Sequence, residues 1–350
     1  MTKWKRVMGL LLAAVLTAGV LAGGAGAVIL AEQDVAKAYL PEGFYLPEGI
    51  EPGEEQQGDL AFILEEGTPL TEAPVAGPVL NEEYLPEASG EKVRNGQKAD
   101  IDYSNTDDGY VMVRYRAESG QKIKAQVKGP TTTYTYDLVP GSTAWTTFPL
   151  SEGDGQYTVA IYENISGNRY SSVMSITFTA KINDEFAAFL RPNQYVNYVD
   201  NAEQTVLKAA QLCAGLTDPL DKVSVIYDYV VKNLAYDYEL AATVQSGYLP
   251  VLDTVLAKGK GICFDYASMM TAMLRSQSVP CKLVVGYAGT IYHAWISVWT
   301  QESGWINAAI YFDGISWQRM DPTFASTGRQ SQAIMQYIGD GTNYTVKYLY

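Results

Sequence analysis

One histidine occurs in the 350 residues, and it lies between a cysteine and an aspartate in the order of nucleophile, base and orienting carboxylate. The segments are Gly259-Lys-Gly-Ile-Cys-Phe-Asp-Tyr-Ala267, Ile291-Tyr-His-Ala-Trp-Ile-Ser-Val-Trp299 and Trp317-Gln-Arg-Met-Asp-Pro-Thr-Phe324. A cysteine attacks carbonyl carbon as the thiolate, so a working thiol needs a neighbouring base or cation. Imidazole takes that proton near neutral pH, and a carboxylate behind it fixes its tautomer. In a chain with one histidine, the first candidate for acid–base chemistry at neutral pH is His293. The expected set is Cys263 as nucleophile, His293 as base and Asp321 as orienter. Each has a plainer reading: a buried structural thiol, a strand core residue, and a turn former before Pro322.

These residues need elements to hold them together. Gly259 and Gly261 permit a tight turn, after which Cys263, Ala267, Met270 and Leu274 recur at helical spacing. That predicts a buried helix with Cys263 at its N-terminus, where unpaired amides and the positive dipole end favour a thiolate and line an oxyanion site. Upstream, Ala202–Leu212 and Asp221–Leu234 read as amphipathic helices. Downstream of Pro280, strand-like runs cover Lys282–Tyr287, His293–Trp299, Gly304–Ala309 and Trp317–Met320. Helix with nucleophile, strand with base, strand end with orienter is an α+β order. Asp265 reads as a helix-start residue. Trp295 and Trp317 read as core or cleft wall. Tyr236 carries a hydroxyl suited to an oxyanion site, and nothing in the sequence turns it toward Cys263.

From residue 96 to 182 the pattern is different. Runs such as Tyr110–Tyr115, Lys122–Val127, Tyr157–Tyr162 and Ser172–Phe178 alternate with period two and are separated by Asp108-Gly109, Gly129-Pro130, Pro140-Gly141 and Gly167-Asn168. An all-β, Ig-like sandwich follows, serving as spacer or binding module. Residues 32–95 read as an acidic, Pro-rich linker with 15 Asp/Glu against 3 Lys/Arg and three copies of Tyr-Leu-Pro-Glu, at Tyr39–Glu42, Tyr45–Glu48 and Tyr84–Glu87. Most of the net charge of −14 is therefore local. That acidity argues against nucleic acid or anionic membrane as partners. At the start, Lys3, Lys5 and Arg6 precede an uncharged run from Val7 to Ala31, with Ala25-Gly26-Ala27 as a small-residue cleavage pattern. Read as a cleaved signal or as an anchor, residues 1–31 place the body outside the cytoplasmic membrane, with membrane contact confined to this segment. Three cysteines give no disulfide scaffold, although Cys213 and Cys281 are available to pair. One histidine and scattered cysteines give no metal cluster, and no cofactor motif is present.

The three motifs in order resemble the transglutaminase-like superfamily, whose pattern is Gly-x-Cys-x-Asp-x-Ala, His-Ala-Trp and Asp-Pro-Thr. Here these are Gly261–Ala267, His293-Ala294-Trp295 and Asp321-Pro322-Thr323. Val279-Pro280, Val285-Gly286-Tyr287 and Ile226–Tyr236 extend the similarity, which covers about 203–350. The resemblance implies a papain-like α+β core over 183–350 and acyl transfer through a thioester on Cys263. Water as acceptor gives a peptidase or amidase; a lysine amine gives a cross-link. Protein or cell-wall peptides are the implied substrates, and the sandwich is available for a wall or surface partner. No run resembles the calcium sites of the animal cross-linking enzymes. The rival reading is a non-catalytic surface module that keeps the fold for protein binding.

Overall fold

The computed structural model describes residues 27–29, 80–288, 291–302, 304–312, 317–319 and 344–350. Strands β1 (Ala27–Ile29), β2 (Val93–Asn95), β3 (Ala99–Asp102), β4 (Tyr110–Tyr115), β5 (Ile123–Lys128), β6 (Thr133–Leu138), β7 (Thr146–Pro149), β8 (Gly155–Ser166) and β9 (Arg169–Ala180) build two antiparallel sheets. Their orders are β1-β9-β8-β5-β6 and β2-β3-β4-β7. The alternation that marks these runs turns Ile101, Val111, Val113, Val127, Val159 and Ile161 into a shared core.

The folded body begins before residue 96. Asn81 caps a short 3-10 turn at Glu82–Tyr84. Arg191 donates to the Glu83 carbonyl at 2.8 Å, and Asn105 donates to the Glu87 carbonyl at 2.7 Å. The third Tyr-Leu-Pro-Glu copy is thus held by side chains from distant segments that donate to carbonyls in and beside it, which composition does not reveal. The other two copies, and the apolar run apart from Ala27–Ile29, lie outside the described residues. Ala27–Ile29 pair with Arg169–Ser171 of β9.

The second half contains α1 (Glu203–Leu212), α2 (Pro219–Asn233), β10 (Ala235–Tyr236), α3 (Tyr238–Thr243), α4 (Leu252–Lys258), β11 (Lys260–Gly261) and α5 (Cys263–Ser276). Then come β12 (Cys281–Ala288), β13 (Ile291–Thr300), β14 (Gly304–Phe312), β15 (Trp317–Arg319) and β16 (Tyr344–Leu349), an antiparallel sheet in the order β15-β14-β13-β12-β16. Asp218 caps α2, with Pro219 at its first position, where a missing N–H costs nothing. Helix α5 is buried along its whole length, between the sheet on one side and α1, α2 and α4 on the other. A helix enclosed on all sides buries residues on every face, so the single apolar stripe read from the sequence is only part of that surface, and its buried Asp265 and Arg275 are hydrogen-bonded.

The fold class is therefore α+β, with a β-sandwich ahead of a half in which helices pack on an antiparallel sheet. The two halves share one continuous core. Tyr136 of β6 stacks on Tyr195 with centroids 5.5 Å apart, and Tyr195 meets Phe264 at the start of α5 edge-on at 5.6 Å. Gln194 donates to the Asp137 carbonyl across the same seam at 2.6 Å.

Candidate active site

The turn before α5 is built by close approach. Gly259 ends α4 in the left-handed region at φ 59°, which favours glycine. Two residues on, a Cβ on Gly261 would lie 2.7 Å from the Asp265 Cβ, so only glycine fits. Asp265 accepts the Ile262 N–H at 2.8 Å and the Tyr248 hydroxyl at 2.7 Å. This is one half of a capping box, and it fixes the first turn on which Cys263 sits. The helix-start reading of Asp265 stands. Burial raises its pKa to about 6 against the pull of those two donors.

His293 reaches the same place along β13. The strand pairs with β12 in the register Gly286↔His293, and it packs on α5. The main-chain N–H groups of Ala294 and Phe264 and the Tyr236 hydroxyl act on the Cys263 thiol, each favouring its thiolate. Cys263 thus lies against the residue next to His293 in the chain, although thirty positions separate the two in sequence. Asp321 lies outside the described residues. Trp295 is buried at 1% exposure, as a core residue would be.

Burial dominates the electrostatics. It raises the Cys263 thiol to about 12, outweighing the three donors that favour the thiolate. It lowers His293 to about 4. The helix-start amide is present as expected, but a fully enclosed thiol loses more by desolvation than one amide returns. The resting pair is therefore neutral thiol and neutral imidazole.

Cys213 and Cys281 are buried free thiols, so no bridge joins them. The Cys281 Sγ lies 3.6 Å from the Thr271 hydroxyl. Among the described residues, no group of three or more His, Cys, Asp or Glu is placed to hold a metal ion. A cavity of about 560 Å³, lined in part by Leu85, Arg114, Trp145, Gln194 and Leu249, lies on the seam between the halves and does not include Cys263.

Residues 208–322 match the family model of the transglutaminase-like superfamily, a span that includes Cys263, His293 and Asp321. They form a transglutaminase-like domain. An uncharacterised protein of Bacillus subtilis (strain 168), YebA, is 28% identical over 135 residues, covering 33% of this chain and 18% of that one. The chain thus spans under a fifth of that relative. A candidate cysteine protease from Cytophaga hutchinsonii overlaps 61% of this chain and 76% of its own at 17% identity and TM-score 0.30. A candidate protease from Parabacteroides distasonis ATCC 8503 overlaps 45% of this chain and 37% of its own at 16% identity and TM-score 0.28.

Within the transglutaminase-like domain, sequence reasoning left out one contributor to the site, Tyr248, and left the direction of another, Tyr236, open. Tyr248 is set by the Asp265 hydrogen bond. Tyr236 is turned to Cys263 by β10, whose residues pair with Lys260 and Gly261. A two-residue bridge has no periodicity to read. The tyrosine was visible as a candidate, but its direction depends on a pairing between segments 25 residues apart.

Proposed function

We propose that the chain is an exported cysteine-dependent acyl-transfer enzyme acting on protein or cell-wall peptides, with Cys263 as nucleophile, His293 as base and Asp321 as orienter. The observation that carries this reading is the Cys263 thiol held by the main chain of Ala294, beside the one histidine of the chain. The thiol proton passes to His293 as sulfur bonds to the carbonyl carbon of an amide. Collapse of the tetrahedral adduct breaks the C–N bond, and the proton returns from His293 to the leaving amine. A thioester on Cys263 then passes its acyl group to water or to an amine. Because the resting pair is neutral, His293 acts as a general base at the moment of attack rather than through a standing ion pair. The uncharged run at Val7–Ala31 behind a basic start supports export.

The enclosure of Cys263, at 0% exposure, favours the second reading, a fold retained for binding. A simple acyl donor separates the two. With p-nitrophenyl acetate the wild-type chain should give a burst of one nitrophenolate per chain and an acetyl group mapped by mass spectrometry to Cys263. Cys263→Ala should abolish both, and His293→Ala should slow the burst by at least 100-fold, the scale of general-base catalysis (~10²–10⁴). A burst that persists in Cys263→Ala, or none in the wild type, would move the binding module ahead.

A further inference from the structure

We propose that the seam cavity is a docking site for a second Tyr-Leu-Pro-Glu copy of the same chain, Tyr45–Glu48, seated beside the copy at Tyr84–Glu87. The inference is independent of the acyl-transfer reading, and it gives a role to a repeat that catalysis does not use.

The copy at Tyr84–Glu87 shows how the sandwich takes this sequence. The Tyr110 hydroxyl accepts from the Glu87 N–H and donates to the Glu87 carbonyl, each at 3.1 Å. Asn105 donates to the same carbonyl, and Arg191 donates to that of Glu83. These bonds hold the two ends of the copy through its main chain and leave the middle, Leu85-Pro86, to pack by shape. Leu85 is extended at φ −75° and ψ 124°, the conformation that a following proline favours. Leu85 and Pro86 form part of the cavity wall. A related sequence, Tyr248-Leu249-Pro250, adds Leu249 to the same wall. Two Tyr-Leu-Pro segments, far apart in the chain, therefore already meet at this one space.

The space that remains suits one more. Its volume of about 560 Å³ lies within the ~300–1,000 Å³ range of ligand pockets. Its lip carries Val139 at 72% exposure and Val199 at 45%, apolar side chains that a docked leucine and proline would take out of water. Arg114 offers a partner for the glutamate of the motif. Its guanidinium lies 4.3 Å over the Trp145 ring and its Nε is held by Asp100 at 2.8 Å, which leaves the terminal N–H groups to donate to a carboxylate. Asp200, which borders the same space, accepts from Asn197 at 3.2 Å. Tyr45–Glu48 lies outside the described residues, and its end is 84 − 48 = 36 positions from the seated copy. That length of chain spans up to about 120 Å, enough to turn back onto the cavity. A motif tethered to its own site is present at roughly millimolar concentration, so a weak contact is filled without a second molecule. Docking sets the segment against Leu249, the neighbour of Tyr248, whose hydroxyl holds Asp265 at the start of α5.

Disulfide trapping in the full chain tests this. Gly49→Cys puts a thiol directly after the motif, and Val139→Cys puts one on the lip of the cavity, where exposure keeps the change out of the core. The comparison pair is Gly49→Cys with Ile165→Cys, a half-exposed position near the Ile29–Arg169 pairing. The chain runs only 49 − 29 = 20 residues from that pairing to Gly49, which makes the comparison strict. The native thiols are buried and do not compete. Under mild oxidation, with the bridge mapped by mass spectrometry, the Val139 pair should close at least about 10-fold faster, the effect of local concentration. Its rate should not change with chain concentration. Leu46→Asp should remove the advantage, a loss of about 10-fold on the scale of one buried leucine, and Leu40→Asp should leave it intact. Equal closure at the two positions would overturn the proposal, as would a Leu46→Asp chain that closes as fast as its parent. Closure that rises with chain concentration would assign the cavity to a second copy of the chain. A loss in Leu40→Asp alone would assign it to Tyr39–Glu42. Either result overturns the placement of Tyr45–Glu48 within its own chain.

Discussion

At the scale of single residues, two groups on the elements that meet at the Cys263 thiol depart from ordinary acidity in opposite directions. Burial holds His293 at about 4, below its usual 6.5, and raises Asp265 to about 6, above its usual 3.8. Linkage turns each into a pH dependence of stability. Below about pH 6.5 the unfolded chain protonates its histidine while the folded one does not, so this group reduces stability as pH falls toward 4. Between about pH 6 and 4 the folded chain protonates Asp265 while the unfolded one stays ionised, so that group adds stability as pH falls. The two slopes oppose over the same window, and wild-type stability should be nearly level there as far as this pair is concerned. Asp265→Asn should expose the histidine slope, with the urea midpoint dropping steadily from pH 6.5 to 4. His293→Gln should show the reverse, a midpoint that rises as pH falls through 6. The slopes are the readout, since either substitution also shifts the absolute value. A level profile in Asp265→Asn would mean that His293 is not held neutral.

At the scale of elements, most of what positions Cys263 and His293 was legible. The spacing of Cys263, Ala267, Met270 and Leu274 places the start of α5 at Cys263, where the structure has it. The runs at Lys282–Tyr287 and His293–Trp299 fall inside β12 and β13. What could not be read is what pairs at long range. The short β10–β11 bridge carries no pattern, and β16 enters the sheet beside β12 from the far end of the chain. The stretch from 80 to 95 looked like linker because its ordering comes from partners such as Arg191 and Tyr110, distant in sequence. Gly261 joins these levels, since it lies in β11, opposes Tyr236 and leaves room only for Asp265. Gly261→Ala should therefore push the turn away from α5. The expected outcome is loss of nucleophile acetylation with a melting temperature several degrees lower, the scale of a 1–3 kcal/mol overpacking penalty. Unchanged acetylation in Gly261→Ala would show that the turn has slack.

At the scale of the molecule, the sandwich is joined to α5 by aromatic rings and by one buried cation. Tyr134 and Tyr136 of β6 meet Tyr195 and Tyr350, and Tyr195 passes the contact to Phe264, the neighbour of Cys263. Arg275, at the other end of α5, donates to the Cys281 carbonyl at 2.9 Å, the Arg191 carbonyl at 2.7 Å and the Tyr350 main-chain oxygen at 2.6 Å. One guanidinium therefore ties α5 to the start of β12, to the segment after the sandwich and to the residue that follows β16. Burial lowers its pKa to about 10, so it stays charged at neutral pH. Its fork satisfies three oxygens that no apolar side chain and no single ammonium of the same reach would satisfy together. Arg275→Leu should cost about 3–5 kcal/mol, the scale of breaking a buried charged network. The seam itself predicts how the chain unfolds. With the two halves sharing one core, denaturation should be a single transition, the same by a probe in the sandwich and by thiol exposure at Cys263. Tyr195→Ala should reduce stability by about 3–5 kcal/mol, as removal of a buried ring does, and pull the two probes apart if the seam is what couples them. Tyr136→Phe should go the other way. That hydroxyl is buried with no hydrogen-bond partner among the described residues, and removing an unsatisfied polar group while keeping the ring should stabilise by about 1 kcal/mol. Two separate transitions in the wild type would mean that the rings touch without coupling the sandwich to the site. A Tyr136→Phe variant less stable than wild type would mean that its hydroxyl has a partner after all.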